Sequence, residues 1–224
     1  MARLLSWTGL AAGLLLLAGC GHHRDTPLTA AAVRGDAAEV ARLLDAGAAI
    51  NEQNSRGFSA LKWAARAGRV DMIPLLVARG ADPNLRGGPN DWTPVMHAIH
   101  KFRRRSVEAL LDAGADVNAR SDRGLTAITM AAGYGDARVV RLLLDRGAEP
   151  GPDTLALAVS GVPDIDKFTV GDCQTETVRT LLASAPSLKL DATIHSRWAR
   201  RLARLSDCAE VLRLLDSPGE AARR

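Results

Sequence analysis

The apolar residues of this chain fall into two patterns. The first is a single run: between Trp7 and Gly19 no residue is charged, and Thr8 carries the only polar side chain. The second begins after Asp25 and consists of short blocks with helical spacing. In the clearest block, Val139, Val140, Leu142, Leu143 and Leu144 form a wide apolar face, which a helix needs when it buries against more than one neighbour. The block before it is built on Ala131-Ala132, a small pair that keeps one helix face flat so that a second helix approaches closely. Such pairs recur at Ala31-Ala32, Ala64-Ala65 and Ala98-Ile99. The pattern predicts units of two helices joined by a turn.

These units keep a common phase. The pair Gly-Ala stands at Gly47-Ala48, Gly80-Ala81, Gly114-Ala115 and Gly147-Ala148, in steps of 33, 34 and 33 residues. A period of this length marks a stacked repeat array. Thr26-Pro27-Leu28, Ser59-Ala60-Leu61, Thr93-Pro94-Val95 and Thr126-Ala127-Ile128 each precede a small pair. Thr or Ser at a helix start caps a free backbone N–H, and proline at the first helical position loses no needed donor. The recurring glycine suits the left-handed residue that ends a helix. Asn51, Asn84 and Asn118 each lie four residues after it.

Over Asp25 to Pro150 these residues resemble the ankyrin-repeat family. Its pattern is a Thr-Pro-Leu-His helix, a turn, a second helix with Val-Val-x-Leu-Leu-Leu, then Gly-Ala-Asp and a β-hairpin. The resemblance implies an all-α repeat solenoid, an ankyrin stack of helix–turn–helix units joined by short β-hairpin loops. The domain would cover 26–216, with four clear repeats over 26–150, one degenerate repeat over 151–186 and a C-terminal cap over 190–216. A disordered tail would follow at 217–224. The family histidine is missing: Thr29, Lys62, Met96 and Thr129 hold its place.

After Pro150 the phase slips. Asp153-Thr154-Leu155 aligns with Thr126-Ala127-Ile128, and Val178 to Leu182 with Val140 to Leu144. An insertion around GVPDIDKFTVGDCQ separates the two helices. A last helix pair, Ala192–Leu205 and Cys208–Leu215, would close the array. Arg197, Arg200, Arg201 and Arg204 give it the polar outer face that a terminal repeat needs, opposite Trp198, Leu202 and Leu205.

The N-terminal run is too short to span a bilayer, which takes about 20 apolar residues. With Arg3 before it and small residues after it, the run matches a secretory signal. Leu17-Ala18-Gly19-Cys20 resembles the bacterial lipobox. That resemblance implies that residues 1–19 are a signal peptide, that Cys20 is acylated and becomes the mature N-terminus, and that 20–25 is a short tether. It implies a bacterial membrane lipoprotein. Gly21 rather than Asp after the cysteine favours the outer membrane, facing the periplasm. Loss of residues 1–19 would remove one of 29 basic residues and none of the 25 acidic ones, leaving a net charge of +3. So mild a charge does not call for nucleic acid. With 47% apolar residues the chain has the composition of a folded protein.

Candidate chemistry is sparse. No phosphate loop, Gly-x-Ser-x-Gly or Cys-x-x-Cys occurs. His97 and His100 share a helix face at i, i+3 and are expected as a helix-surface pair, because two ligands do not make a metal site. No cofactor is expected. Cys173 and Cys208 remain once Cys20 is acylated. Two readings stay open for them: a disulfide, as in exported proteins, or two buried free thiols. Equivalent positions of stacked repeats are about 10 Å apart, beyond the roughly 7 Å a bridge allows, unless the insertion shifts the phase. Lys101-Phe102-Arg103-Arg104-Arg105 replaces the usual glycine between the helices of the third repeat and reads as a solvated helix end.

In the ankyrin family, hairpin tips and first-helix surfaces line a concave groove where partners bind. Carried onto this sequence, the groove residues are Phe58, Arg66 and Ala67; Trp92, His100 and Lys101; and Leu125, Gly133 and Tyr134, with Arg56 and Arg123 on the hairpins. Exposed aromatics beside arginines have the composition of interaction hot spots. Trp63 holds the Leu position of the family pattern and is expected in the core. The expected function is a membrane-anchored monomer that binds a protein partner through the groove, without catalysis. Two other readings are a periplasmic inhibitor or immunity protein, and an enzyme using residues 161–176 with Asp164, Asp166 and Asp172 as acids.

Overall fold

The computed structural model describes residues 25–161, 163–164, 167–168, 173–190 and 194–217. Cys20, the tether before Asp25, Asp166, Asp172 and the tail from 218 lie outside the described residues. Among the described residues twelve helices follow in order: α1 Pro27–Arg34, α2 Ala37–Asp45, α3 Ala60–Ala67, α4 Met72–Ala78, α5 Pro94–His100, α6 Arg104–Asp112, α7 Ala127–Gly133, α8 Ala137–Asp145, α9 Pro152–Ser160, α10 Thr175–Ser184, α11 Ile194–Leu205 and α12 Ala209–Asp216. Odd-numbered helices pack side by side from α1 to α11 in one layer. Even-numbered helices from α4 to α12 form the other. This is the expected all-α repeat solenoid.

The local reasons are those written in the chain. Thr26, Ser59, Thr93 and Thr126 accept the backbone N–H three residues on, at 3.1–3.4 Å, each cap contributing about 1 kcal/mol. Leu28, Leu61, Val95 and Ile128 are buried one position after Pro or Ala in each first helix. They meet Val40, Ile73, Val107, Val140 and Leu143 from the second helices in one continuous core. Ala31, Ala32, Ala64, Ala65, Ala98, Ala131 and Ala132 have no exposed surface. Full burial of each large aliphatic contributes about 1.5–3 kcal/mol.

The loops depart from the expected hairpins. Two of them close with a pair of backbone bonds and no strand ladder: Asn54 N–H to Phe58 O at 3.0 Å with Gly57 N–H to Asn54 O, and Ser121 N–H to Leu125 O at 2.9 Å with Gly124 N–H to Ser121 O. The only strands among the described residues are β1 Pro163–Asp164 and β2 Lys167–Phe168, paired antiparallel in the insertion. Long side chains replace the ladder by tying one repeat to the next. Asn51 accepts from Asp82 N–H at 2.9 Å and donates to Gly80 O. Asn84 accepts from Asp116 N–H. Asn118 accepts from Glu149 N–H and donates to Gly147 O.

The missing family histidine is replaced by different means in each repeat. Lys62 is fully buried and its Nζ donates to Gly57 O at 3.0 Å. Thr29 Oγ1 donates to Thr26 O at 2.8 Å. Thr129 Oγ1 bonds Thr126 Oγ1 and Thr154 Oγ1. Met96 is buried and packs.

Beyond Pro150 the alignment needs correction. The N-cap of α9 is Gly151, so Gly151-Pro152 takes the place of Thr126-Ala127, and Thr154 is the equivalent of Thr129. Helix α9 starts five residues after Gly147, whereas α7 starts thirteen after Gly114; the intervening loop has been deleted. Cys173 and Cys208 are bridged, with Cα atoms 5.5 Å apart. They come closer than equivalent positions because they are not equivalent: Cys208 is the N-cap of α12, and Cys173 stands two residues before α10. In α11 the buried face is Ser196, Ala199 and Ala203, while Trp198 is 55% exposed beneath Arg201. The expectation of a Trp198 face turned inward is wrong, because only small residues fit where α11 lies against α9.

Candidate functional site

The first helices and the loops before them bring seven rings into one row. Trp63 stacks on Phe58 at 4.8 Å between centroids, and Phe58 lies 4.6 Å from His97. His97 meets Trp92 at 5.4 Å, Trp92 meets His100 at 5.2 Å, His100 meets Tyr134 at 6.0 Å and Tyr134 meets Phe102 at 5.4 Å. The chain has four Trp, three Phe and one Tyr. Five of them stand in this row, so it is where the chain concentrates its aromatic surface. Offset and tilted pairs at these distances contribute about 0.5–1.5 kcal/mol each beyond their burial.

The row is built from second, third and fourth repeats. Phe58 and Trp92 come from the loop just before a first helix; Trp63, His97 and His100 come from α3 and α5; Phe102 and Tyr134 follow α5 and α7. His100 Nδ1 and the Tyr134 hydroxyl share a hydrogen bond of 2.8 Å, which fixes the imidazole across the repeat boundary. Phe102 adopts φ 55. Gly35, Gly68 and Gly135 hold the same turn in the other repeats. A bulky residue there is strained by on the order of 1–2 kcal/mol, and the ring it presents is 44% exposed beside Tyr134.

Several expected placements change. Phe58 is buried, 7% exposed, because Trp63 and His97 cover it. Trp63 is half-buried in the row instead of the core. His97 is buried, 6% exposed, so it and His100 do not form a surface pair. Gly133 is buried as well. Trp92, His100, Lys101, Leu125, Tyr134 and Arg66 are half-buried, and Arg56 and Arg123 are exposed. Sequence reading found Phe58, Trp92, His100 and Tyr134 but missed the part of His97, Trp63 and Phe102. Trp63 and His97 share one repeat position, 34 residues apart, and that coincidence was the available signal.

The site is electropositive. The Arg56 and Arg66 guanidinium carbons lie 5.9 and 6.0 Å from the Phe58 ring centre, and Arg56 is 6.0 Å from Trp63. Burial, and then the charge of Arg56, lower the Arg66 pKa. Burial brings Lys62 down to about 8, although Asp91 opposes it. Burial, followed by the charges of Lys62, Arg66 and His100, brings His97 down to about 3, so His97 is neutral at pH 7.

Two depressions open beside these residues. One of about 550 Å³ is lined by Arg56, Phe58, Arg66, Trp92, His97 and His100, among others. The other, about 510 Å³, lies where the deleted loop before α9 would have stood, and Arg123 and Leu125 line it with Glu149 and Asp153. The nominated groove residues therefore divide between two places. Among the described residues no group of three or more His, Cys, Asp or Glu is placed to hold a metal, and no helix is long and apolar enough to cross a membrane.

Known proteins share this pattern. The family model described as Ankyrin repeats (3 copies) matches residues 8–87 and 85–154. An ankyrin repeat-containing protein of Treponema pallidum is 37% identical over 119 residues, 53% of this chain and 40% of the relative. The mitochondrial disaggregase of Bos taurus is 36% identical over 132 residues, 57% of this chain and 19% of the relative. The B-cell lymphoma 3 protein homolog of Mus musculus is 34% identical over 99 residues, 44% of this chain and 22% of the relative. The match thus spans less than half the length of each of these relatives.

Proposed function

The chain belongs to the ankyrin-repeat family, whose repeats generally mediate protein–protein interaction, and on that premise we propose that it binds a protein partner along its aromatic row while lipid on Cys20 holds it at a bacterial membrane. The observation that carries this reading is the continuity of seven rings through six contacts over three repeats, flanked by arginines. Half-buried aromatic and arginine side chains are the residues that dominate binding energy at protein interfaces. The Cys173–Cys208 bridge supports export, since disulfides persist in oxidising compartments. The mechanism is recognition, with no reaction. The outer membrane, facing the periplasm, is the proposed location.

The test is crosslinking of the tagged, membrane-anchored chain in cells, with mass spectrometry of what is captured. Trp92→Ala and Tyr134→Ala run beside the wild type; Phe58 is left intact because its burial would confound the result. A partner captured by the wild type and lost in the variants supports the face. A partner retained by both moves binding elsewhere and overturns it. For the anchor, Cys20→Ser should lose the acyl mass and leave the membrane fraction; retention there with unchanged mass would sink the lipid proposal.

A further inference from the structure

The depression beside His97 has features that ring packing does not require. Neither nitrogen of this buried imidazole has a hydrogen-bond partner among the described residues. Leaving a buried polar group unpaired costs about 1–3 kcal/mol. The same helical position is Ala30, Trp63 and Met130 in the other repeats, and Ala30 and Met130 meet the packing need with no polar atom. The histidine helps to line the depression. The Trp63 indole N–H is likewise buried without a partner among the described residues.

The charge beside the depression is also unbalanced. Arg56 and Arg66 both lie within 6.0 Å of the Phe58 ring, and neither has an acidic partner among the described residues. Some arginines elsewhere have acidic partners, Arg42 with Glu39, Arg86 with Asp91 and Arg146 with Asp112; what sets Arg56 and Arg66 apart is that both converge on the ring beside the unpartnered imidazole. The depression, about 550 Å³, has room for more than a carboxylate. It opens beside Trp92 and His100, from which the row continues to Tyr134 and Phe102, so an extended segment lying along the row passes it.

Resting on the partner-binding reading above, we propose that this depression seats an acidic side chain, Asp or Glu, standing next to an aromatic residue in the partner's segment. The carboxylate accepts charge-assisted hydrogen bonds from Arg56 and Arg66, stronger than neutral ones. Neutral His97 offers one N–H donor and one acceptor, so it binds the carboxylate without adding charge to a crowded cationic site. The neighbouring aromatic ring stacks on Trp92.

The test uses the full chain and three probes: acetyl-Phe-Glu-Phe-amide, its Gln counterpart, and phenylacetate. Binding is read from tryptophan emission and from the ¹⁵N shifts of the His97 ring. The Glu peptide should bind at least tenfold more tightly than the Gln peptide. Arg56→Gln with Arg66→Gln should abolish that preference while circular dichroism and Tm stay near wild type. His97→Leu should weaken the Glu peptide while raising Tm, a combination that a purely structural histidine would not produce. Equal binding of the two peptides overturns the proposal. Phenylacetate binding as tightly as the Glu peptide, with the same arginine dependence, overturns the assignment to a peptide and makes a free carboxylate the occupant. If the peptides bind equally while Trp92→Ala still loses the captured partner, the acidic anchor falls and the face stands. If the Glu preference holds while Trp92→Ala keeps the partner, the face falls and the carboxylate site stands.

Discussion

Up to Pro150, each repeat is tied to the next by an asparagine bracket and by side chains that reach one repeat back. Arg69 Nε donates to Val33 O at 2.7 Å, and Arg103 Nε donates to Arg66 O at 3.5 Å. Beyond Pro150 no asparagine continues the series. There Gln174 Nε2 still donates to Gly133 O, and the other joints include the Cys173–Cys208 bridge and the ion pairs Arg179–Glu210 and Arg200–Asp216. Where the sequence keeps its phase, identical backbone groups recur at identical spacing and one polar side chain per repeat suffices. Where an eight-residue deletion and an insertion break the phase, the asparagine bracket is lost and a covalent link joins the last repeats. The ion pairs are exposed and contribute little on their own, about 0–1 kcal/mol each.

The bridge should therefore carry the largest single effect. It closes a separation of 35 residues, worth about 3–4 kcal/mol of chain entropy. Cys173→Ala with Cys208→Ala, or reduction, should unfold α10 to α12 at lower denaturant while the region up to Pro150 keeps its midpoint. Hydrogen exchange resolves the two regions, and uniform destabilisation would erase the distinction.

Next comes acid. Unfolded, His97 binds its proton as pH falls through its ordinary 6.5; folded, it does so only near 3. Its contribution is fully present above about 6.5 and is lost as pH falls toward about 3. His97→Leu should reduce acid destabilisation by about 2–3 kcal/mol at pH 4.5, measured as the difference between the two variants' urea midpoints across pH. This loss belongs to the regular stack, so it should leave exchange in α11 and α12 unchanged.

A smaller effect is expected at the loop crossing. A Cβ on Gly57, at φ 75, would come 2.7 Å from Gly88 Cα. Gly57→Ala should cost about 2 kcal/mol, and because Lys62 bonds the Gly57 carbonyl, it should also disturb the aromatic row, visible in near-UV circular dichroism. Smallest is a single bracket: Asn84→Ala removes the 2.7 Å bond to Asp116 N–H and should cost about 1 kcal/mol. If Asn84→Ala matched the loss of the bridge, the brackets rather than the phase would govern the stack.

Periodicity made the fold legible. Caps, small pairs, apolar second helices and helix-ending glycines act within a few residues, so their positions in the chain dictated helices, turns and the common stacking geometry. Trp92, His100 and Tyr134 were singled out by the phase together with the family resemblance, and the structure brings them into one row. What phase could not supply was side-chain direction at places where residues depart from the pattern. Trp63 turned from the core to the row because Phe58 offered a flat face. Trp198 turned outward because α11 meets α9 through alanines. Sequence by itself determined the repeating backbone, since those interactions are local and recur every 33 or 34 residues. Only the tertiary structure decided that His97 is buried between Phe58 and Trp92, that Arg56 and Arg66 converge on one ring, and that Cys173 reaches Cys208. Each of these joins residues from different repeats or loops, and their meeting depends on how the stack packs, not on spacing along the chain.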